Sequence, residues 1–140
     1  MKIKRDILNA LLLSVPCAPP EMGGILGGKD GTIVVYEIDR GISSSDNYDH
    51  YYPNVSHLNN TLQIWQTGGI EFCGIFHSHF PGGENLSAAD KRYIQRIMQT
   101  MPAEINGLFF PIIISPKIIC YQANRCGSEV RIIRDDIKIL

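Results

Sequence analysis

Apolar positions along this chain fall into two rhythms, one of helices and one of strands. Leu8, Leu11, Leu12 and Val15 recur at i, i+3, i+4 and i+7, which predicts an amphipathic first helix. Pro16, Pro19 and Pro20 break it, because proline lacks the amide hydrogen and biases its predecessor toward extended backbone. Two apolar runs follow, Met22 to Leu26 and Thr32 to Ile38. The segment Gly27-Gly28-Lys29-Asp30-Gly31 between them reads as the turn of a hairpin. From Gly41 to Pro53 the chain is polar, which predicts a long surface loop. Its tyrosines (Tyr48, Tyr51 and Tyr52) either form a binding lip or pack the loop onto the body.

Beyond that loop, residues 55–67 have Leu58, Leu62 and Trp65 close to one helical face, and Gly68-Gly69 ends the segment. Ile70 to His79 reads as a buried strand. Ser87 to Met101 is a clear helix whose apolar stripe is Ile94, Ile97, Met98 and Met101. Strands are predicted near Leu108–Ser115, Lys117–Gln122 and Val130–Ile133, with a weaker candidate at Ile137–Leu140. The order predicts an α/β domain, a mixed sheet flanked by helices.

Composition narrows the class. The 140 residues suit one domain spanning 1–140, and 44% hydrophobic with 19% charged residues argues against disorder. Net charge is −1, so no strong field favours nucleic acid or anionic lipid as partner. Lys2, Lys4 and Arg5 before Leu11-Leu12-Leu13 imitate a signal peptide, but Asp6 and Asn9 interrupt it and the helical period argues for a retained helix. No window approaches the apolar length of a membrane span. Cys17, Cys73, Cys120 and Cys126 lack disulfide-scaffold spacing and read as reduced, partly buried thiols, which fits the cytoplasm. Cys120 and Cys126 form at most a weak metal pair, without partners at zinc-finger spacing.

The chemistry concentrates in Gly74-Ile75-Phe76-His77-Ser78-His79, followed by Ser87 and Asp90. Side chains two apart on a strand share a face, so His77 and His79 can reach one ion. Asp90 opens the next helix and returns a carboxylate to the strand end after the bend at Gly82-Gly83. Two imidazoles and a carboxylate are the donor set of a catalytic zinc site, which leaves a fourth position for water. A base must take that water's proton, and Glu21 is the leading candidate, placed between Pro19-Pro20 and Gly23-Gly24. Glu84 and Glu71 are rivals, one in the loop between ligands and one ahead of the strand. Ser87 is placed to stabilise the oxyanion.

Each feature alone reads more simply. Two strand histidines can be a hydrogen-bonded buried pair, and Ser87 with Asp90 can be an N-cap and its third helical residue. The joint spacing His-x-His-x7-Ser-x2-Asp, however, arises by chance only on the order of once in a few thousand chains.

With Glu21 upstream, these residues match every element of the JAMM (JAB/MPN) signature, and the sequence resembles that zinc metallopeptidase family. Pro20-Glu21-Met22-Gly23-Gly24-Ile25-Leu26-Gly27 also looks like the family's first-strand segment, and the element order agrees over most of the chain. The resemblance implies a cytidine-deaminase-like JAB/MPN fold with one zinc ion. It further implies His77, His79 and Asp90 as ligands, Glu21 as acid/base and Ser87 at the oxyanion. One departure is Phe80, where members commonly have proline, with Pro81 one position late. The short chain resembles the stand-alone prokaryotic type. The activity so implied is hydrolysis of an amide bond at the C-terminal tail of a ubiquitin-like or sulfur-carrier protein, with the tail added as a strand to a sheet edge. The alternatives are a RadC-like protein of DNA metabolism, disfavoured by the lack of a basic stripe, and a catalytically silent interaction module.

Overall fold

The computed structural model describes residues 1–16, 18, 20–42 and 51–140. Among them, eight strands and three helices are laid out as β1 (Lys2–Ile3), α1 (Arg5–Ser14), β2 (Gly23–Lys29), β3 (Thr32–Asp39), α2 (Val55–Thr67), β4 (Glu71–Ser78), α3 (Ala88–Thr100), β5 (Gly107–Ile114), β6 (Lys117–Cys126), β7 (Glu129–Asp135) and β8 (Lys138–Ile139). One mixed sheet holds all the strands, in the order β7-β6-β5-β4-β2-β3-β1-β8.

Helices cover both faces of this sheet, and the strands alternate between two cores. Leu8 and Leu11 of α1 pack with Met22, Leu26, Ile33 and Phe76 on one side. Leu58 and Trp65 of α2, with Ile94 and Met98 of α3, pack with Ile25, Ile75, Phe110 and Ile112 on the other. Ile75 and Phe76 are neighbours that point to opposite cores, as the period of two requires. Parity therefore puts His77, and His79 beyond it, on the α2/α3 side.

The β2–β3 hairpin differs from the expected one. Its turn is only Asp30-Gly31, with φ of 52° and 76°, and Gly27-Gly28 lie inside β2. Glycine is required there by contact: a Cβ on Gly27 would stand 2.7 Å from Ile70 and Val35, and one on Gly28 2.5 Å from the Cys73 sulfur. A bulge accompanies them, between Gly27 and Gly28 on the β3 side and between Leu26 and Gly27 on the β4 side. At the opposite end of β2, Gly24 approaches the Glu37 carbonyl so closely that a Cβ would lie 2.0 Å from it. The early Gly-Gly pair thus does allow close backbone approach.

The short strand β1 was not expected. It pairs in parallel with both β3 and β8, and so gives the weak C-terminal candidate its partner. Strands β6 and β7 extend beyond their predicted ends because they pair with each other from Cys120–Asp135 to Cys126–Glu129. The tryptophan face of α2 and the stripe of α3 are buried as the periodicity predicts. The C-terminal carbonyls of α3 at Met98 and Met101 accept hydrogen bonds from the Arg125 guanidinium, which ties the helix to β6. No helix among the described residues is long and apolar enough to cross a membrane.

Candidate metal centre

His77 closes β4, and His79 lies one residue past its end. Gly23 of β2 pairs with His77, and continuing that antiparallel register by two residues sets Glu21 across from His79. Ser78, between the histidines, faces the other core and is 2% exposed. It grips Met22 twice: its backbone N–H donates to the Met22 carbonyl at 2.8 Å, and its Oγ accepts from the Met22 N–H at 3.0 Å. Met22 is therefore held in register, and Glu21 beside it faces the histidine side.

Asp90 comes from the first turn of α3. Ser87 is the N-cap, its Oγ accepting from the Asp90 N–H at 3.0 Å while Asp90 Oδ2 accepts from the Ser87 N–H at 2.9 Å. The simple capping reading of these two residues is therefore correct, and it does not exclude the other one. The same carboxylate reaches His77 Nε2 at 3.4 Å through Oδ1 and His79 Nε2 at 3.2 Å through Oδ2.

The two imidazoles meet Nε2 to Nε2 at 2.8 Å. His79 Nδ1 lies 2.6 Å from the Gly83 carbonyl, so Nδ1 carries a hydrogen and Nε2 is the nitrogen directed inward. The displaced Pro81 acquires a purpose here. Gly83 N–H donates to the Phe80 carbonyl at 3.0 Å, closing a four-residue turn with Pro81 second and Gly82 third, at φ +91°. Proline then positive-φ glycine is the signature of a type II turn. That turn delivers the carbonyl that orients His79.

One donor atom from each of His77, His79 and Asp90 lies within 4.8 Å of the others, a spacing one ion spans with ligand bonds of about 2.0–2.3 Å. The donor set, two imidazole nitrogens and a carboxylate oxygen, suits zinc. Among the described residues, no other trio of this kind comes together. Burial opposes charge at both Asp90 and His79, and the pair overcomes it. Bonds from His77 and His79 hold the Asp90 carboxyl well below the usual carboxylate range. At His79, burial lowers the pKa, but Asp90, the Gly83 carbonyl and the charge of Glu21 together raise it.

The triad opens into a cleft of about 380 Å³. Glu21, His77 and Asp90 line it at the triad. Ile75, Phe110, Ile94 and Tyr93 form the floor, Tyr51, Tyr52 and Pro53 one wall, and Ala89 and Arg96 continue it along α3. Ser87 is exposed and is not part of this lining. The rival bases lie elsewhere. Glu84 pairs with Lys117 at 3.2 Å, and Glu71 is exposed at the far end of β4, paired with Gly28.

Sequence reasoning missed what supports the tyrosine wall. Asp39, at the end of β3, is 4% exposed and accepts three hydrogen bonds, from Gly41 N at 3.1 Å, Tyr51 OH at 2.6 Å and Asn54 N at 2.7 Å. It clips both stems of the loop together. Tyr51 then lies over Gly23, whose Cβ would fall 2.6 Å from the ring. Burial, then Asp39, pushes the Tyr51 phenol well above its usual range, and the same two causes raise Tyr93 to about 12. Tyr51 both packs the loop down and lines the cleft. Tyr48 lies outside the described residues, as does Cys17. Cys73, Cys120 and Cys126 are free thiols, though Cys126 is exposed rather than partly buried.

A larger, shallower depression of about 730 Å³ lies at the other end of β2, among Lys4, Arg5, Lys29 and Asp30, away from the triad.

Comparison with solved structures finds the same fold elsewhere. A protein of Desulfitobacterium hafniense aligns at a TM-score of 0.67 with 20% identity, covering 99% of this chain and 92% of that one. A JAB1/MPN domain protein from Archaeoglobus fulgidus aligns at 0.59 with 18% identity, covering 100% and 99%. A protein of Salinibacter ruber aligns at 0.59 with 19% identity, covering 100% and 92%. No curated protein matches the sequence. The family described as prokaryotic homologs of the JAB domain matches residues 5–127, and the chain belongs to it.

Proposed function

We propose that this protein is a zinc-dependent peptidase that hydrolyses an amide bond at the C-terminal tail of a ubiquitin-like or sulfur-carrier protein. The observation that supports it is the convergence of His77, His79 and Asp90 at one end of a cleft that Glu21 also lines. The three ligands would hold the ion. Zinc, when bound, supplies Lewis acidity that polarises the scissile carbonyl and acidifies water.

The remaining work falls to the chain's own groups. Glu21 takes the proton from the attacking water and passes it to the amine nitrogen as the C–N bond breaks. Gly83 keeps His79 in one tautomer, and Ser87 keeps Asp90 aimed at both imidazoles. The capping bond uses a lone pair of the Ser87 hydroxyl and leaves its hydrogen to donate to the carbonyl oxygen as that oxygen becomes negative. The apolar floor of Ile75, Ile94 and Phe110 keeps the reacting carbonyl out of bulk water, where charges would be screened.

The zinc-loaded protein, offered a panel of tail-extended ubiquitin-like fusions, is expected to release the extension, as read by mass spectrometry. Glu21→Gln should abolish release while keeping zinc. Failure to cut any of several tails would overturn the reading. A silent scaffold of the same fold is separated by metal analysis: near-stoichiometric zinc that disappears in His77→Ala supports a working centre.

A further inference from the structure

Resting on the peptidase reading above, we propose that the cleft selects an extended peptide bearing a carboxylate about three residues from the scissile bond, with Arg96 as the group that reads it. The helix α3 lines the cleft with Asp90, of the triad, and with Arg96, nearly two turns further along. Six residues of helix separate them, about 9 Å at roughly 1.5 Å per residue. A bound peptide advances about 3.3 Å per residue in extended form, so that distance corresponds to about three residues.

Charge along the cleft is polarised. Its lining carboxylates, Glu21 and Asp90, both lie at the triad, and Arg96, nearly two helical turns from Asp90, is its one lining arginine or lysine among the described residues. Arg96 is exposed and has no hydrogen bond or ion pair among the described residues. Its neighbours one turn away on α3 are Arg92, Tyr93, Gln99 and Thr100, none of them acidic, and Arg92 adds a like charge. Solvated arginines are common on helices. What sets Arg96 apart is that it shares a lining with a candidate catalytic centre. A guanidinium presents a planar fork of donors that matches a carboxylate, whereas a lysine or arginine at that position of the peptide would meet repulsion. Tyr93 and the Tyr51 wall also line the cleft and offer flat surfaces to a bound peptide, and the Asp39 clip fixes that wall in advance.

The test uses the zinc-loaded full chain and tail-extended fusions carrying Asp, Ala or Lys at the second to fourth residue on either side of the bond. Cleavage is read by mass spectrometry. Binding is read separately, by fluorescence anisotropy of the labelled tails on Glu21→Gln protein. Asp is expected to be favoured over Lys on the order of tenfold at one position, attraction and repulsion combined. Arg96→Ala should flatten that preference and Arg96→Glu invert it, with zinc content unchanged. Equal binding of Asp and Lys tails, or a preference that survives Arg96→Glu, overturns the inference even if tails are cut. A charge preference in binding that Arg96→Glu inverts sustains it even if none is cut, and the failure then falls on the hydrolase alone.

Discussion

On the proposed function, proton and metal compete for the same nitrogen at His79. Without a metal, Asp90 and the Gly83 carbonyl raise its pKa against the effect of burial, while bonds from His77, His79 and the Ser87 N–H depress that of Asp90. The histidine contributes stability that is fully present below its unfolded value, about 6.5, and is lost as pH rises through its raised folded value. The aspartate contributes stability present above its unfolded value and lost as pH falls through its depressed one. Zinc needs the neutral imidazole, so it reverses the alkaline limb. The thermal shift produced by zinc should therefore grow from about pH 6 to about pH 8. Calorimetry in buffers of different ionisation enthalpy should register proton release on binding; a pH-independent shift would contradict this account.

Ser78 is the other residue whose effect exceeds its size. Ser78→Ala leaves the Met22 N–H inside the protein without its Oγ partner, a cost of about 1–3 kcal/mol, and loosens the segment that carries Glu21. Urea denaturation should register the loss of stability. A kcat reduced by about tenfold at unchanged zinc content would place the effect at Glu21 rather than at the metal. An unaltered kcat in a destabilised variant would assign Ser78 to packing alone.

At the scale of elements, two turns shape the site. Gly82 holds φ +91° in the Pro81-Gly82 turn, where an alanine is strained by about 1 kcal/mol or more. Gly82→Ala should weaken zinc binding through the displaced Gly83 carbonyl more than it lowers global stability, since losing the group that orients a metal-binding histidine typically costs about 10–100-fold in metal affinity. Competition against a chelator measures it. The Asp39 clip shapes the tyrosine wall of the cleft instead, where the proposed substrate would lie. Tyr51→Phe removes one of its three donors while keeping the ring, and Asp39→Asn weakens all three bonds. Both should raise KM with little change in kcat, Asp39→Asn the more, by about threefold to tenfold. A fall in kcat alone would place Tyr51 at the chemistry.

The elements also show where periodicity suffices. The faces of α1, α2 and α3 were readable because burying one stripe of a helix demands a 3.6-residue repeat. The Gly27-Gly28 strand was misread as turn because glycine's local preference says nothing of Ile70, Val35 and Cys73 packing over it. Strand β1 escaped because two residues have no detectable period.

In the whole molecule, β4 is the seam. It pairs antiparallel with β2 and in parallel with β5, thereby joining the hairpin that carries Glu21 to the C-terminal strands. Gly74 permits the close approach to β5, since a Cβ there would lie 2.0 Å from the Phe109 carbonyl oxygen. Gly74→Ala must part the strands, and should cost about 3 kcal/mol or more and lower zinc affinity together, because His77 is on the same strand. A denaturation midpoint like the wild type's would contradict that role for the seam.

The sequence by itself determined the candidate ligand trio, the α/β layering and the helix that returns Asp90, because spacing of two on a strand and the Ser-x-x-Asp helix start are local geometry. Only the tertiary structure decided that Glu21 faces His79 while Glu71 and Glu84 do not, that Gly83 orients an imidazole, that Asp39 holds the tyrosine wall, and that Arg96 lines the cleft. Those relations join residues far apart in the chain or outside any repeat, and strand register, turn closure and burial create them only when the sheet assembles.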